Sequence, residues 1–406
     1  MKKFYLLFIV LISLSANAQD STRRINFGEF HFTSQSLFMG REKNRSGSYY
    51  DSTDRSQFSH TNMLKFNYES PVLNGFQFKT ELVGAFAEYG DGYSPATSSV
   101  TQDLANSRMR IINKLNLSYT FHFGAKGTGV LSVGRKDIQG SFTPSYAVRH
   151  KDQAYEALEF TLTVDSTWFF SAGHIQRFSG WKSTQDFSSF KEIYELNNPS
   201  YGMQFVQWRH DSLGQVKLET YNFYAYNLYN TFGVHIDWQA VDRNQWGLVI
   251  KPRYQNQSTM GEYRTNLNAV SHMLQTGVQL TYKKFSIEPG VLYGFGSSNG
   301  YDFKSPFQAA LIVKEPLFET EAGLNLGNIS YYLESKISLN RFSIYGLYFR
   351  TDKLTNGFVE EYDIIAKYAA KKFFYTAFKI GYAHYYDNAA SQKHILDYRL
   401  FIGIKI

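Results

Sequence analysis

The chain has 406 residues, no cysteine, a net charge of +7 and many rings: 31 Tyr and 35 Phe help bring aromatic residues to 17%, against 19% charged. Such ring content exceeds that of ordinary soluble domains, no apolar run of about eighteen follows Leu14, and disulfides play no part, so helical membrane proteins and disulfide scaffolds are excluded. A transmembrane β-barrel reconciles these numbers, because only alternate strand residues face lipid and aromatic girdles mark both interfaces.

At the start, Lys2 and Lys3 precede an apolar run from Phe4 to Leu14, and Ala16-Asn17-Ala18 places small residues where a signal peptidase cuts. Residues 1–18 are therefore expected to be a secretory signal peptide, and 19–406 one outer-membrane barrel domain. From there the pattern has period two. The first segment, "GEFHFTSQSLFMG", alternates Phe30, Phe32 and Phe38 with Glu29, His31, Thr33 and Gln35. Alternation and breakers predict about eighteen strands, at 28–39, 61–70, 75–86, 108–122, 129–136, 155–164, 167–177, 200–210, 215–226, 231–240, 246–254, 271–282, 285–296, 328–339, 342–350, 360–370, 373–385 and 393–406. Within 297–327, "FQAALIVKE" is apolar enough to hold a further strand pair, which leaves twenty open.

The last segment, "HILDYRLFIGIKI", sets Leu396, Tyr398, Leu400, Ile402, Ile404 and Ile406 on one face and Asp397, Arg399 and Lys405 on the other. Pairing of this strand with the first removes the sheet edges. Connections alternate in length. Tight ones at Pro71 to Asn74, Asp165-Ser166, Asp211 to Gly214, Lys283-Lys284, Asn340-Arg341 and Lys371-Lys372 interleave with long ones such as Gly40 to His60 and Phe178 to Pro199. The fold class is thus all-β: an antiparallel transmembrane barrel with short periplasmic turns and long external loops.

A barrel of this strand number encloses an aqueous channel, whereas eight strands fill their interior with side chains. The predicted inward positions agree: Lys79, Glu81, Lys114, Asn116, Ser118, Thr120, Lys251, Arg253, Glu334, Lys336, Lys379 and Arg399 are polar. A charge facing lipid near the midplane costs about 2–4 kcal/mol, so water is the place for them.

The segment "VGRKDIQGSFTPSYAVRHKDQAYEALEFT" resembles the constriction-loop region of the OprD-type outer-membrane porins, through Gly134, Arg135, Thr143, Pro144, Arg149, Tyr155 and Glu156. "FFSAGHIQRFSGWKSTQDF" and "TYNFYAYNLYNTFGVHIDW" resemble the hairpins that follow. The final Ile406 departs from the aromatic with which such chains usually end, and the family's full ladder of wall arginines finds no residue-by-residue match. The resemblance implies a third loop, about 137–154, folded into the lumen. Arg149, His150, Tyr146 and Arg135, with Glu159, Arg399, Lys379 and Lys336 on the wall, would then contact the solute. Arg149 ranks first, its planar fork being suited to a carboxylate; Lys151 is expected to pair with Asp152.

Other chemistries are excluded by spacing. His31, His210, His235 and His272 have no serine and acid at family-like distances, and no His-x-x-x-His pair marks a metal site, so neither an enzyme nor a metal or cofactor is expected. Export and strand alternation assign the basic and aromatic residues to lumen and girdles, so no nucleic-acid partner is expected. The expected partners are outer-membrane lipid, the outer-membrane assembly machinery and small hydrophilic solutes, in a monomer or a loose trimer in a Gram-negative outer membrane. A barrel transporter for hydrophobic ligands would need an apolar pocket and a plug, and no plug domain precedes Gly28; a structural or adhesin barrel would need a blocked lumen.

Overall fold

The computed structural model describes residues 27–46, 57–91, 109–124, 126–138, 140, 152–179, 187–194, 196–243, 245–266, 268–296, 327–352, 357–370, 373–388 and 391–406. The strands are β1 (Glu29–Ser46), β2 (Gln57–Glu69), β3 (Phe76–Asp91), β4 (Met109–Phe123), β5 (Gly127–Lys136), β6 (Ala154–Val164), β7 (Trp168–Ser179), β8 (Ser188–Ser189), β9 (Met203–Leu213), β10 (Val216–Ala225), β11 (Tyr229–Arg243), β12 (Trp246–Ile250), β13 (Arg253–Thr259), β14 (Val270–Tyr282), β15 (Phe285–Gly296), β16 (Ile329–Leu339), β17 (Phe342–Asp352), β18 (Phe358–Ala370), β19 (Phe374–Asn388) and β20 (Ser391–Lys405). Among the described residues two short helices, α1 (Phe190–Tyr194) and α2 (Gly261–Asn266), sit in connections.

All pairings are antiparallel, and β20 pairs with β1 from Thr33↔Lys405 to Ser46↔Gln392, so the wall closes. β8 is a two-residue spur on β7, and β12 and β13 form one strand interrupted at Lys251-Pro252, where proline has no N–H to give the ladder. The wall therefore has eighteen strands. The alternative of twenty falls away because β15 pairs directly with β16 from Phe285↔Ile337 to Tyr293↔Ile329, leaving no place for another pair. The segment 297–326 itself lies outside the described residues, as do residues 1–26.

Strand alternation becomes a two-sided wall. On β4, Ile112, Leu115, Leu117 and Tyr119 are exposed outward while Lys114, Asn116, Ser118 and Thr120 are half-buried inward. Trp168, Trp246, Phe285, Phe342 and Phe374 stand exposed near the turn rim, Tyr331, Tyr362 and Tyr382 nearer the other, with Leu131, Val133, Leu158, Leu280 and Ile364 between. This apolar band between aromatic girdles is the exterior a bilayer requires, and a closed wall satisfies every ladder group within it. The turn rim is tight: Asp165 and Ser166 both have positive φ (51° and 56°), as the twist of a two-residue hairpin demands. The opposite rim is less uniform than expected. Tyr226–Leu228 joins β10 to β11 in three residues, and β19 and β20 are separated by two positions.

Candidate functional site: the barrel interior

Two sectors of inward charge stand out in the register, apart from inward pairs such as Arg253 with Asp237 on β13 and β11. On β3 and β4, a β-bulge between Glu81 and Leu82 opposes two residues to one, so consecutive Asn113 and Lys114 both point inward. Asn113 Nδ2 donates to Glu81 Oε1 at 2.7 Å, and Lys114 Nζ lies 2.7 Å from Asp137, 3.6 Å from Glu81 and 3.8 Å from Asp152. Lys65 on β2 adds contacts of 3.6 Å to Glu81 and 3.9 Å to Asp152. Asp137 and Asp152 are the two roots of the third loop, so two lysines of the wall clamp both of its ends. Burial raises the Asp152 carboxyl above its ordinary value, and Lys65 and Lys114 offset this only in part. Next along the wall, Lys136 donates to Glu159, which also accepts from Ser171 Oγ at 2.7 Å.

The second sector lies across β15 to β20. One register row carries Glu288, Glu334, Leu347, Asp363, Gly381 and Asp397, and ends at Arg41. The neighbouring row carries Lys336, Tyr345, Ile365, Lys379 and Arg399. A line of carboxylates thus runs beside a line of cations. Asp397 takes Arg41 at 2.8 and 3.1 Å and Arg399 at 2.9 and 3.2 Å; Lys379 Nζ lies 5.1 Å from the Phe401 ring centre. Three predicted site residues, Lys336, Lys379 and Arg399, share this row. Glu159 belongs to the first sector.

Arg135 is a correction. It follows Leu131 and Val133 on the same face, both exposed outward, and pairs at 3.0 Å with Glu156 while its guanidinium covers the Phe187 ring at 4.2 Å. It therefore faces away from the lumen. Period two fixes this once the pairing Ser132↔Glu159 sets the inward face. Tyr146, Arg149, His150 and Lys151 lie outside the described residues.

Sequence reading missed an apolar cluster inside the barrel. Tyr155, Ala157, Ile175, Met203, Phe205, Tyr221, Phe223, Ala225 and Tyr229 share the inward parity of Glu159, Ser171 and Gln207. Against them pack Ile138 at one root of the third loop, and Phe190 and Leu196 from the β7–β9 connection. Phe190 and Leu196 of that connection therefore sit inside the barrel. A signal was present: Gln204, Asn222 and Asn230 occupy the opposite face of these strands, so here the polar side is outside, above the apolar band.

No family model matches the chain, and no curated protein matches it by sequence. Solved structures do. OccAB4 of Acinetobacter baumannii superposes with a TM-score of 0.73 at 14% identity, over 95% of this chain and all of that one. A BenF-like porin from Pseudomonas fluorescens gives 0.73 at 10% identity over 93% and 98% of the two chains, and the outer membrane protein OpdK of Pseudomonas aeruginosa 0.67 at 10% over 92% and 98%. The chain has the fold of these porins. The barrel implied by the resemblance in the third-loop region is thus the barrel observed.

Proposed function

We propose that the chain is an outer-membrane porin of a Gram-negative bacterium, exported by the signal in residues 1–18, inserted by the assembly machinery, and passive in its transport. The observation that carries this reading is the closed eighteen-strand wall with an apolar, ring-girdled outside and paired charges of both signs inside. Solutes are selected by bore and by the field of charges in a narrow zone where the effective dielectric is below that of bulk water. Small hydrophilic solutes fit such a lumen. The interior apolar residues pack on one another, with Ile138, Ile175 and Phe190 fully buried, which favours hydrated cargo over hydrophobic ligands.

Within this reading the third loop, about 137–154, folds inward. Its roots support that: Ile138 and Gln153 are buried, and Asp137 and Asp152 are held by inward lysines. Arg149 is then the residue assigned to a solute carboxylate. Single-channel recording in planar bilayers with small acids, amines and sugars tests the function. Arg149→Ala is expected to enlarge conductance and weaken anion preference together, and Lys151→Ala to change little. An Arg149→Ala channel equal to the parent in both quantities removes the loop from the selectivity mechanism.

A further inference from the structure

The segment that enters the lumen is tied down at one exposed point. Helix α1 is capped by a reciprocal pair: Glu192 N donates to Ser189 Oγ at 3.3 Å and Ser189 N to Glu192 Oε2 at 2.7 Å. Its far end is closed by Leu196 N on Lys191 O at 3.1 Å, after which Asn197 and Asn198 leave the lumen. There Glu262, on α2 and 65 residues away in sequence, accepts four hydrogen bonds with one carboxylate. Asn197 N and Nδ2 reach Oε1 at 2.7 and 2.9 Å; Asn198 N and Nδ2 reach Oε2 at 2.8 and 3.0 Å. Both carboxylate oxygens are thus bidentately engaged by backbone and side chain of consecutive residues.

Other contacts at this place are single or apolar. Asn227 Nδ2 donates to Pro199 O at 2.9 Å, Ser200 Oγ to Tyr226 O at 3.0 Å, and Tyr263 N to Asn227 O at 3.0 Å. Tyr263, beside Glu262, sets its ring edge-on to Tyr194 and Tyr229, whose hydroxyls meet at 3.1 Å. Three external connections therefore meet where Glu262 stands. It holds the part of the chain that carries Phe190, Tyr194 and Leu196 into the barrel.

We infer that Glu262 is a latch, and that α1 with Leu196 is a gate element whose docking against the inner wall this carboxylate controls. The physical ground is the division of labour. The apolar cluster is non-directional and permits the element to seat in more than one depth, whereas four N–H donors converging on one carboxylate specify one position. Being at the surface, those bonds exchange readily for water, so the latch is reversible. The inference rests on the channel reading above, and the test keeps the two apart.

The first readout is switching between conductance levels in single-channel traces of Glu262→Ala and Glu262→Gln. Losing one charge-assisted set is expected to raise switching about tenfold in the alanine variant, less in the glutamine variant. The second uses the absence of cysteine in the chain. Phe190→Cys, buried in the parent background, is expected to react with a membrane-impermeant maleimide several times faster when combined with Glu262→Ala; heat-modifiability confirms that each barrel is assembled. A double variant, Asn198→Cys with Glu262→Cys, joined by a short cleavable bifunctional thiol reagent, is expected to return the quiet parent trace until cleaved. A parent barrel that does not conduct overturns the channel reading and with it the gate. A conducting parent whose Glu262→Ala form shows unchanged switching and unchanged Phe190→Cys labelling overturns the latch alone.

Discussion

Lys251 and Glu288 form an ion pair at 2.7 Å across an intervening strand. β14 lies between them, and the residue it presents there is Gly277, whose backbone pairs with Lys251 through N→O contacts of 2.9 and 3.4 Å. A Cβ at 277 would stand 2.7 Å from Glu288 Oε1 and 2.4 Å from the Tyr332 hydroxyl, which itself donates to Glu288 at 3.0 Å. The bridge exists because the middle strand carries no side chain.

Gly277→Val is accordingly expected to displace both Glu288 and Tyr332 and to cost about 1–3 kcal/mol, the range for stranding a partly buried polar partner. Urea unfolding in detergent micelles measures it; Gly247→Val, whose Cβ would meet nothing nearer than 3.5 Å, serves as the comparison and should cost less.

Ile364 and Ile365 test the wall's two faces. Ile364 faces outward, 54% exposed, between Gly346 and Ile380, whereas Ile365 faces inward between Tyr345 and Lys379. Arginine at 364 is expected to cost about 2–4 kcal/mol of folding free energy in lipid vesicles, and arginine at 365 well under half of that even beside Lys379. Equal costs would show that the faces are misassigned.

Glu159 and Glu156 are three residues apart and on opposite faces. Glu159→Gln leaves Lys136 without its carboxylate on the lumen side, so anion over cation permeability is expected to rise about twofold or more. Glu156→Gln, on the outward face with Arg135, should leave it unchanged. Reversal potentials in a salt gradient decide between them.

The latch fixes a pH dependence. Backbone N–H groups of Asn197 and Asn198 hold the Glu262 carboxyl below the ordinary carboxylate value, and the backbone N–H of Ser189 does the same for Glu192. A carboxyl whose value is depressed in the docked state contributes docking free energy that is complete above its free value and is lost as pH falls through the depressed one. The cations beside this carboxyl in the fold are Lys191, which donates to Asn197 O, and Arg264 on α2. Switching in single-channel traces is therefore expected to stay quiet from neutral pH down to the ordinary carboxylate value and to rise progressively as pH falls from there through the depressed one. In Glu262→Gln the part of the acid response set by Glu262 is expected to be lost, while the part set by Glu192 remains.

Alternation along the chain was enough to place the strands, the pairing of the first with the last, and the hairpin at Asp165-Ser166, because period two and turn chemistry are local properties of the backbone. It also placed Lys336, Lys379 and Arg399 on the inward face, since a charge has a preferred side wherever one face meets hydrocarbon; Glu159 entered only through the family resemblance. It could not orient Arg135, near a strand end above the apolar band, where neither face is lipid and polarity ceases to mark direction. Nor could it see Asn113 and Lys114 turned to the same side, for a bulge is one extra residue measured against a partner strand. Composition calls for aromatic girdles without saying which rings form them, and only register shows Tyr155, Phe205, Tyr221 and Phe223 inside. Glu262 and Asn198 meet across 64 positions of sequence because the closed wall brings three connections to one place, and that adjacency is a property of the tertiary structure alone.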